Sequence, residues 1–195
     1  MMTHTTAMRV AIFVLLTAQL ALGLAPEVSR SQFWKQSLSG TVLVAGTILP
    51  NQKPVFAVAD KLVNLPDEQL KAIIKKDILE KQFLATGQLT REIYDESAKF
   101  TDEIDTYELD KWIKGTQKLF RGDKSIVRLV GDINVSKKQI DFLFDEDLMF
   151  NIPFQPTVSL TGKVVLTRDT STGLINSYQE FWDQDVVTVL KSAKF

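Results

Sequence analysis

The chain contains no cysteine. Disulfides, thiolate nucleophiles, iron–sulfur clusters and thiolate zinc sites are therefore excluded, while the redox compartment stays open. Histidine is almost as scarce, since the single imidazole is that of His4, within a segment that reads as a removable leader. Its loss takes away the usual general base near neutral pH, any Ser-His-Asp arrangement and imidazole metal sites. Acid–base chemistry would then rest on Asp, Glu, Lys or Tyr. No phosphate-binding glycine loop, nucleotide fingerprint or metal-ligand spacing occurs, so neither a cofactor nor a metal is expected. The chain also lacks internal repeats and low-complexity stretches.

What is present is the balance of a globular protein: 45% apolar and 24% charged residues over 195 positions, enough for one domain of ordinary size plus accessory segments. The accessory part is at the front. Arg9 precedes an apolar run from Val10 to Leu24, with small Ala21 and Gly23 near its end, which reads as a secretory signal. At about 15 residues it is short for a membrane span, which needs roughly 20. Leu24-Ala25-Pro26 then resembles the point at which algae with secondary plastids append a transit peptide. The stretch that follows carries Ser29, Arg30, Ser31, Lys35, Ser37 and Ser39 and one acid, Glu27. A second apolar run from Thr41 to Leu49 leads to Ala57-Val58-Ala59, an A-x-A cleavage pattern. Three signals in series predict a plastid address, with the thylakoid lumen as the end point and a mature chain starting near Asp60. The alternative is a secreted protein with a loose N-terminal arm. Removal of residues 1–59 takes four basic residues and one acid, so 23 basic and 24 acidic residues become 19 and 23, a net charge of −4. No basic face remains for nucleic acid, and the mature chain has no stable membrane span.

In residues 60–195, Asn64-Leu65-Pro66-Asp67 predicts a helix start capped by Asn64 with Pro66 in the first turn. Leu70, Ile73, Ile74, Ile78 and Leu84 share one face at helical spacing, and Gly87 marks the stop. Asp105 with Glu108 three residues on predicts a capping box opening a second helix. Its apolar face is Leu109, Trp112, Ile113, Leu119 and Phe120, and Arg121-Gly122-Asp123 reads as its terminating turn rather than as an integrin-binding tripeptide. From Ser125 the period becomes strand-like: 126–130, 140–144, 158–167 and 174–182. Ser136-Lys137-Lys138, Asp145-Glu146-Asp147 and Asp169-Thr170-Ser171-Thr172-Gly173 read as the turns between them. Asp145-Glu146-Asp147 lacks the spaced ligands and glycine of a calcium loop, which leaves a solvated hairpin turn. Helices first and hairpins afterwards predict an α+β domain with helices segregated to one face of an antiparallel sheet. Asn134-Val135-Ser136 is a glycosylation sequon, relevant if the chain stays in the secretory path.

The run from Phe83 through Gly87 to Tyr94, followed by Phe100-Thr101-Asp102, resembles the opening of a plant and algal plastid family of unknown function. Ile152-Pro153-Phe154-Gln155-Pro156, Gly162, Gly173-Leu174-Ile175 and Gln179-Glu180-Phe181-Trp182 agree with it. Asp102 is followed by Glu103 where such proteins often have proline, and Phe154 stands where plant members more often show tryptophan. The resemblance places residues 67–195 in the SnoaL-like, nuclear transport factor 2-like superfamily. It implies a cystatin-like cone, a curved antiparallel sheet with helices packed on its concave face. Ketosteroid isomerases, scytalone dehydratases and polyketide cyclases are built on that cone, so the analogy extends to fold and not to activity.

Candidate site residues follow from that cone. Asp77 falls within about 20° of Leu70 on the first helix's apolar face, where burial would raise its pKa and suit acid–base work; the alternative is a structural ion pair with Lys81. Tyr94 and Asp102 follow the first helix at positions that, by the resemblance, line the cone mouth as hydroxyl donor and carboxylate base, or else pack and cap a turn. Trp112, Phe142, Phe144 and Trp182 are candidates for an apolar pocket wall, or plain core. Glu180 alternates with Tyr178 and Trp182 and becomes an interior carboxylate if that face is concave. The leading expectation is a module that binds a small apolar ligand or a protein partner in its cone. Its rivals are a cofactor-free lyase, isomerase or cyclase using Asp77, Tyr94 and Asp102, and a scaffold that forms a homodimer through the outer sheet face.

Overall fold

The computed structural model describes residues 60–195, and the targeting signals read in residues 1–59 lie outside them. Helix α1 spans Asp67–Leu79 and buries Leu70, Ile74, Asp77 and Ile78, the face that the helical spacing foretold. Its N-cap is Pro66 and not Asn64, which sits two residues earlier with φ 53°. Nor does the helix run on to Gly87. Gln82 takes a left-handed conformation, φ 55°, and a separate four-residue turn, α2 (Phe83–Thr86), follows. The Gln82 side chain makes that break worthwhile: its Nε2 donates to the Ile78 and Val127 carbonyls, while Oε1 accepts from Val127 N. The apolar spacing at Leu84 was correct and the single-helix reading was not, because the period survives a break that re-aims the chain.

A 3-10 turn (Arg91–Ile93) leads into β1 (Tyr94–Thr101) and the short β2 (Thr106–Glu108), neither of which the sequence pattern disclosed. The predicted capping box is absent as well. Helix α3 (Leu109–Leu119) starts after Glu108, which makes no side-chain cap bond. Asp105 lies instead in the β1–β2 turn, where its amide and that of Ile104 donate to Asp102 Oδ1. The remaining strands are β3 (Ile126–Val135), β4 (Gln139–Met149), β5 (Thr157–Arg168) and β6 (Ile175–Trp182), followed by α4 (Val186–Lys191). Asp185 caps α4 by accepting from Thr188 N.

The six strands form one sheet in the order β2-β1-β6-β5-β4-β3. Every pairing is antiparallel except β1 with β6, which is parallel because the first strand of the domain is laid beside the last. The turns at Ser136–Lys138 and Asp169–Gly173 occur where expected, but Asp145-Glu146-Asp147 is not a turn. It lies inside β4, with Glu146 paired to Leu160 of β5. Along β4 the residues Ile140, Phe142, Phe144, Glu146, Leu148 and Phe150 all face inward and are buried. Asp145 and Asp147 point outward to Arg128 of β3.

Helix α1 packs over β3, and α3 packs over β1 and β2, so both helices cover one face of the sheet. Between them the core is aromatic. The Phe100 and Tyr178 rings stack at 4.7 Å and 13°, Trp112 lies 4.7 Å from Phe100, and Phe83 closes the group edge-on to Tyr178. Each such fully buried ring contributes on the order of 2–3 kcal/mol. Gly162 on β5 allows a close approach here. A Cβ at that position would stand 2.9 Å from the Phe144 ring and 2.2 Å from the Phe181 carbonyl, so Phe144 lies across a strand that has made room for it.

Candidate active site: an apolar cone with interior carboxyls

The concave face, α3 and α4 bound a partly open cavity of about 110 Å³. Its walls are apolar for the most part, from Leu84, Trp112 and Leu119 on the helix side to Leu148, Val158 and Leu160 on the sheet. Val186, Val189 and Leu190 of α4 close one side. An apolar cavity on the order of 150 Å³ accommodates benzene, so the space is of the scale of one small ring or a short branched chain.

Besides Thr116 of α3, four ionisable side chains reach this wall. Glu146 comes from the inward row of β4 and is 2% exposed. Glu180 comes from β6 and is held by two donors on its own strand: Tyr178 Oη donates to Oε2, and Trp182 Nε1 donates to Oε1 at 2.6 Å. Asp102 sits at the β1–β2 turn, and Tyr107 projects from β2. Among the described residues two buried side-chain atoms have no hydrogen-bond partner, Tyr107 Oη and Glu146 Oε2, and both residues line the cavity. A buried polar group left unpaired costs about 1–3 kcal/mol, so two at one wall are a cost concentrated at one place.

Burial sets the electrostatics. It pushes the Glu180 carboxyl up to about 7, against the hydrogen bonds from Tyr178 and Trp182, and the charges of Asp102 and Glu103 add to the rise. Glu146 is held well above the ordinary glutamate range by burial first, then by the charges of Glu180, Asp145 and Asp147. Asp102 is raised by burial even though the amides of Asp105 and Ile104 pull it down. The Tyr107 hydroxyl is likewise raised by burial and by the nearby Asp102 and Asp105. The cavity thus presents at Glu146 a carboxyl whose ionisation is disfavoured and, at Glu180, one poised near neutral pH between its two forms. Two carboxyls with raised pKa on one largely apolar wall are suited to proton transfer.

Of the residues singled out in the sequence, Asp102, Trp112, Glu180 and Trp182 are brought together on the cavity wall. Phe142 and Phe144 are buried in the core and do not line it. Asp77 is not on the wall either. It accepts from Thr90 N at 2.7 Å and Thr90 Oγ1 at 2.8 Å and pairs with Lys81 Nζ at 2.8 Å, so the structural ion pair is what the helix carries there. Tyr94 packs at 5.6 Å against Phe100 away from the cavity, and burial, followed by the Asp77 charge, raises its hydroxyl above the ordinary tyrosine range. Glu146 and Tyr107 escaped the sequence reading. For Glu146 a signal existed, because the alternation 140, 142, 144 continues through 148 and 150 and carries Glu146 to the inner face. For Tyr107 there was none, since a three-residue strand has no period to read. Among the described residues no group of three His, Cys, Asp or Glu is arranged to hold a metal ion. No helix among them is long and apolar enough to cross a membrane.

Comparison with solved structures identifies the architecture. A nuclear transport factor 2-like protein from Burkholderia thailandensis superposes with a TM-score of 0.50 at 9% identity, over 66% of this chain and 98% of that one. A protein assigned as a SnoaL-like polyketide cyclase, from Jannaschia sp. CCS1, gives 0.49 at 13% identity over 66% of this chain and 94% of the other. A nuclear transport factor 2-like protein from Anabaena variabilis gives 0.46 at 16% identity, over 64% and 96%. No protein-family model matches the chain, and no curated protein does. The fold is the nuclear transport factor 2-like cone; at these identities the likeness extends to fold alone.

Proposed function

We propose that this nuclear transport factor 2-like domain binds a small, largely apolar molecule inside its cone, through a polar group that meets Glu146 and Tyr107. One observation carries the reading: the two unpartnered buried polar atoms of the described residues both belong to the cavity wall. A ligand offering hydrogen-bond partners to them would recover what folding leaves unpaired, while the apolar wall supplies the bulk of the affinity. The test is untargeted mass spectrometry of small molecules released when the purified full chain is denatured. It is run beside Val189→Phe, which adds a ring to the wall contributed by α4. The reading expects one compound in roughly stoichiometric amount from the natural chain and its loss from the variant. Equal recovery from both would place the ligand outside the cone.

A second reading has its own support. Glu180, poised near neutrality on the same cavity wall as Glu146, is suited to move a proton within a bound substrate, which is the work of a cofactor-free lyase, isomerase or cyclase. Under it, Glu180→Gln retains the bound compound and abolishes its conversion; turnover surviving in that variant would rule it out.

We further propose the plant and algal plastid family as the chain's kin, a plastid address with cleavage near Asp60, and self-association through the outer face of the sheet. The serial signals in residues 1–59 support the address. Exposed Val130, Leu143 and Phe181, which stand in one row across β3, β4 and β6 with Lys163 of β5 between the last two, support the association. N-terminal sequencing and sedimentation of the native protein test both: a secreted chain starting near Leu24, or a monomer at high concentration, would remove the corresponding proposal.

A further inference from the structure

The charge inside the cone is of one sign. Asp102, Glu146 and Glu180 all line the cavity, and no lysine, arginine or histidine stands on its wall. The one other acid buried to the same degree as Glu146 among the described residues, Asp77, has a cation to hand in Lys81. The interior set has only neutral donors, and Glu146 Oε2 lacks even those. Aromatic residues share the wall with these carboxyls: Trp112 and Trp182 with Phe120, Phe150 and Tyr107. Carboxyls without countercharge, set among aromatic residues in a small cavity, are the recognition chemistry of an organic cation.

On the reading that the cone binds a small molecule, we propose that its ligand is an amine, held as the ammonium between Glu146 and Glu180 with its apolar body against Trp112 and Trp182. A metal ion is the poorer fit, because no group of three ligating side chains converges among the described residues. An anionic ligand is poorer still, since it would meet three carboxyls and no compensating donor charge. The neutral hydrogen-bonding groups that hold Glu180 leave its charge uncompensated, and an ammonium supplies the missing partner for both glutamates at once.

The charged groups that face this pair set how binding responds to pH. Glu180 feels Asp102 and Glu103 from the β1–β2 turn, with Tyr178 and Trp182 on its own strand, and Glu146 feels Glu180, Asp145 and Asp147. All the charged members are acids, so each resists ionisation of the others until a cation arrives. Ammonium binding therefore releases protons from the pair. It strengthens as pH rises through the range near 7 in which Glu180 titrates, while an aliphatic amine, protonated to about pH 10, keeps its own charge throughout.

Calorimetric titration of the full chain with three ligands of one shape tests this: cyclopentylamine, cyclopentanol and cyclopentanecarboxylate. At about pH 8 the amine should bind at least about tenfold more tightly than the alcohol, and the carboxylate should not bind measurably. The amine's advantage should shrink at about pH 5, and Glu146→Gln and Glu180→Gln should each reduce it at pH 8. The pH series on the unaltered chain gives the answer even if a variant does not fold. An alcohol that binds as tightly as the amine overturns the amine and leaves the cone reading intact. An advantage that persists undiminished at low pH and in both variants overturns it as well. If none of the three binds, the amine and the cone reading fall together.

Discussion

Asp77 and Glu146 are both 2% exposed carboxyl residues, and their neighbours give them opposite roles. Asp77 is compensated by Lys81 and the backbone and hydroxyl of Thr90, so it ties α1 to the segment before β1. Glu146 has an oxygen without a partner and faces a cavity. Sequence position alone could not separate them, because helical and strand periods say which face a residue occupies and nothing of what waits there. Glu180 supplies the residue-scale prediction. Its folded value of about 7 lies above the ordinary 4.5, so the folded chain holds a proton that the unfolded chain has lost between those values. Stability from this group is therefore fully present below about pH 4.5, declines as pH rises towards 7, and is level above it. The expected decline is about 3 kcal/mol, and Glu146, raised in the same direction, extends it upward. Urea unfolding at pH 4.5 and 8 should show Glu180→Gln losing a clear part of the decline seen in the natural chain, with the share due to Glu146 retained. An identical decline in both would assign the titration to other groups.

At the scale of elements, the strongly periodic segments were legible and the short or interrupted ones were not. The inward faces of α1 and α3, the hairpin turn at Ser136–Lys138 and the turn before β6 follow from spacing and turn chemistry. The α1–α2 break was hidden because its cause is tertiary: Gln82 adopts a left-handed backbone so that its amide can bridge the end of α1 and β3. Acidic residues at 145 and 147 imitated a turn while belonging to the solvent face of a strand, where Arg128 pairs with both. The element-scale prediction concerns α3. Trp112 is its chief anchor, 4.7 Å from Phe100, 5.7 Å from Tyr178 and 6.1 Å from Phe83. Trp112→Ala should cost roughly 3–5 kcal/mol in urea unfolding. A loss below about 1 kcal/mol would mean that α3 is held by its ends and not by this face.

For the molecule as a whole, a sheet whose first strand lies parallel beside its last, with helices over one face, leaves a cone that its own side chains do not fill. The fold was legible because the resemblance covered most of the domain. Asp102, Trp112, Glu180 and Trp182, singled out in the chain, stand on the cavity wall. The unpaired state of Glu146 and Tyr107 was not legible, because it belongs to no segment and arises only when the strands and helices around the cavity come together. The account stands on those carboxyls being enclosed and lacking a countercharge. Carbon-13 NMR of the glutamate side-chain carboxyls in the full chain reads this directly, with Glu146→Gln and Glu180→Gln assigning the two signals. Glu180 should titrate near 7 and Glu146 above the ordinary glutamate range. Titration of both with the exposed glutamates, near about 4.3, would mean that water reaches them freely and that the cone holds no enclosed site.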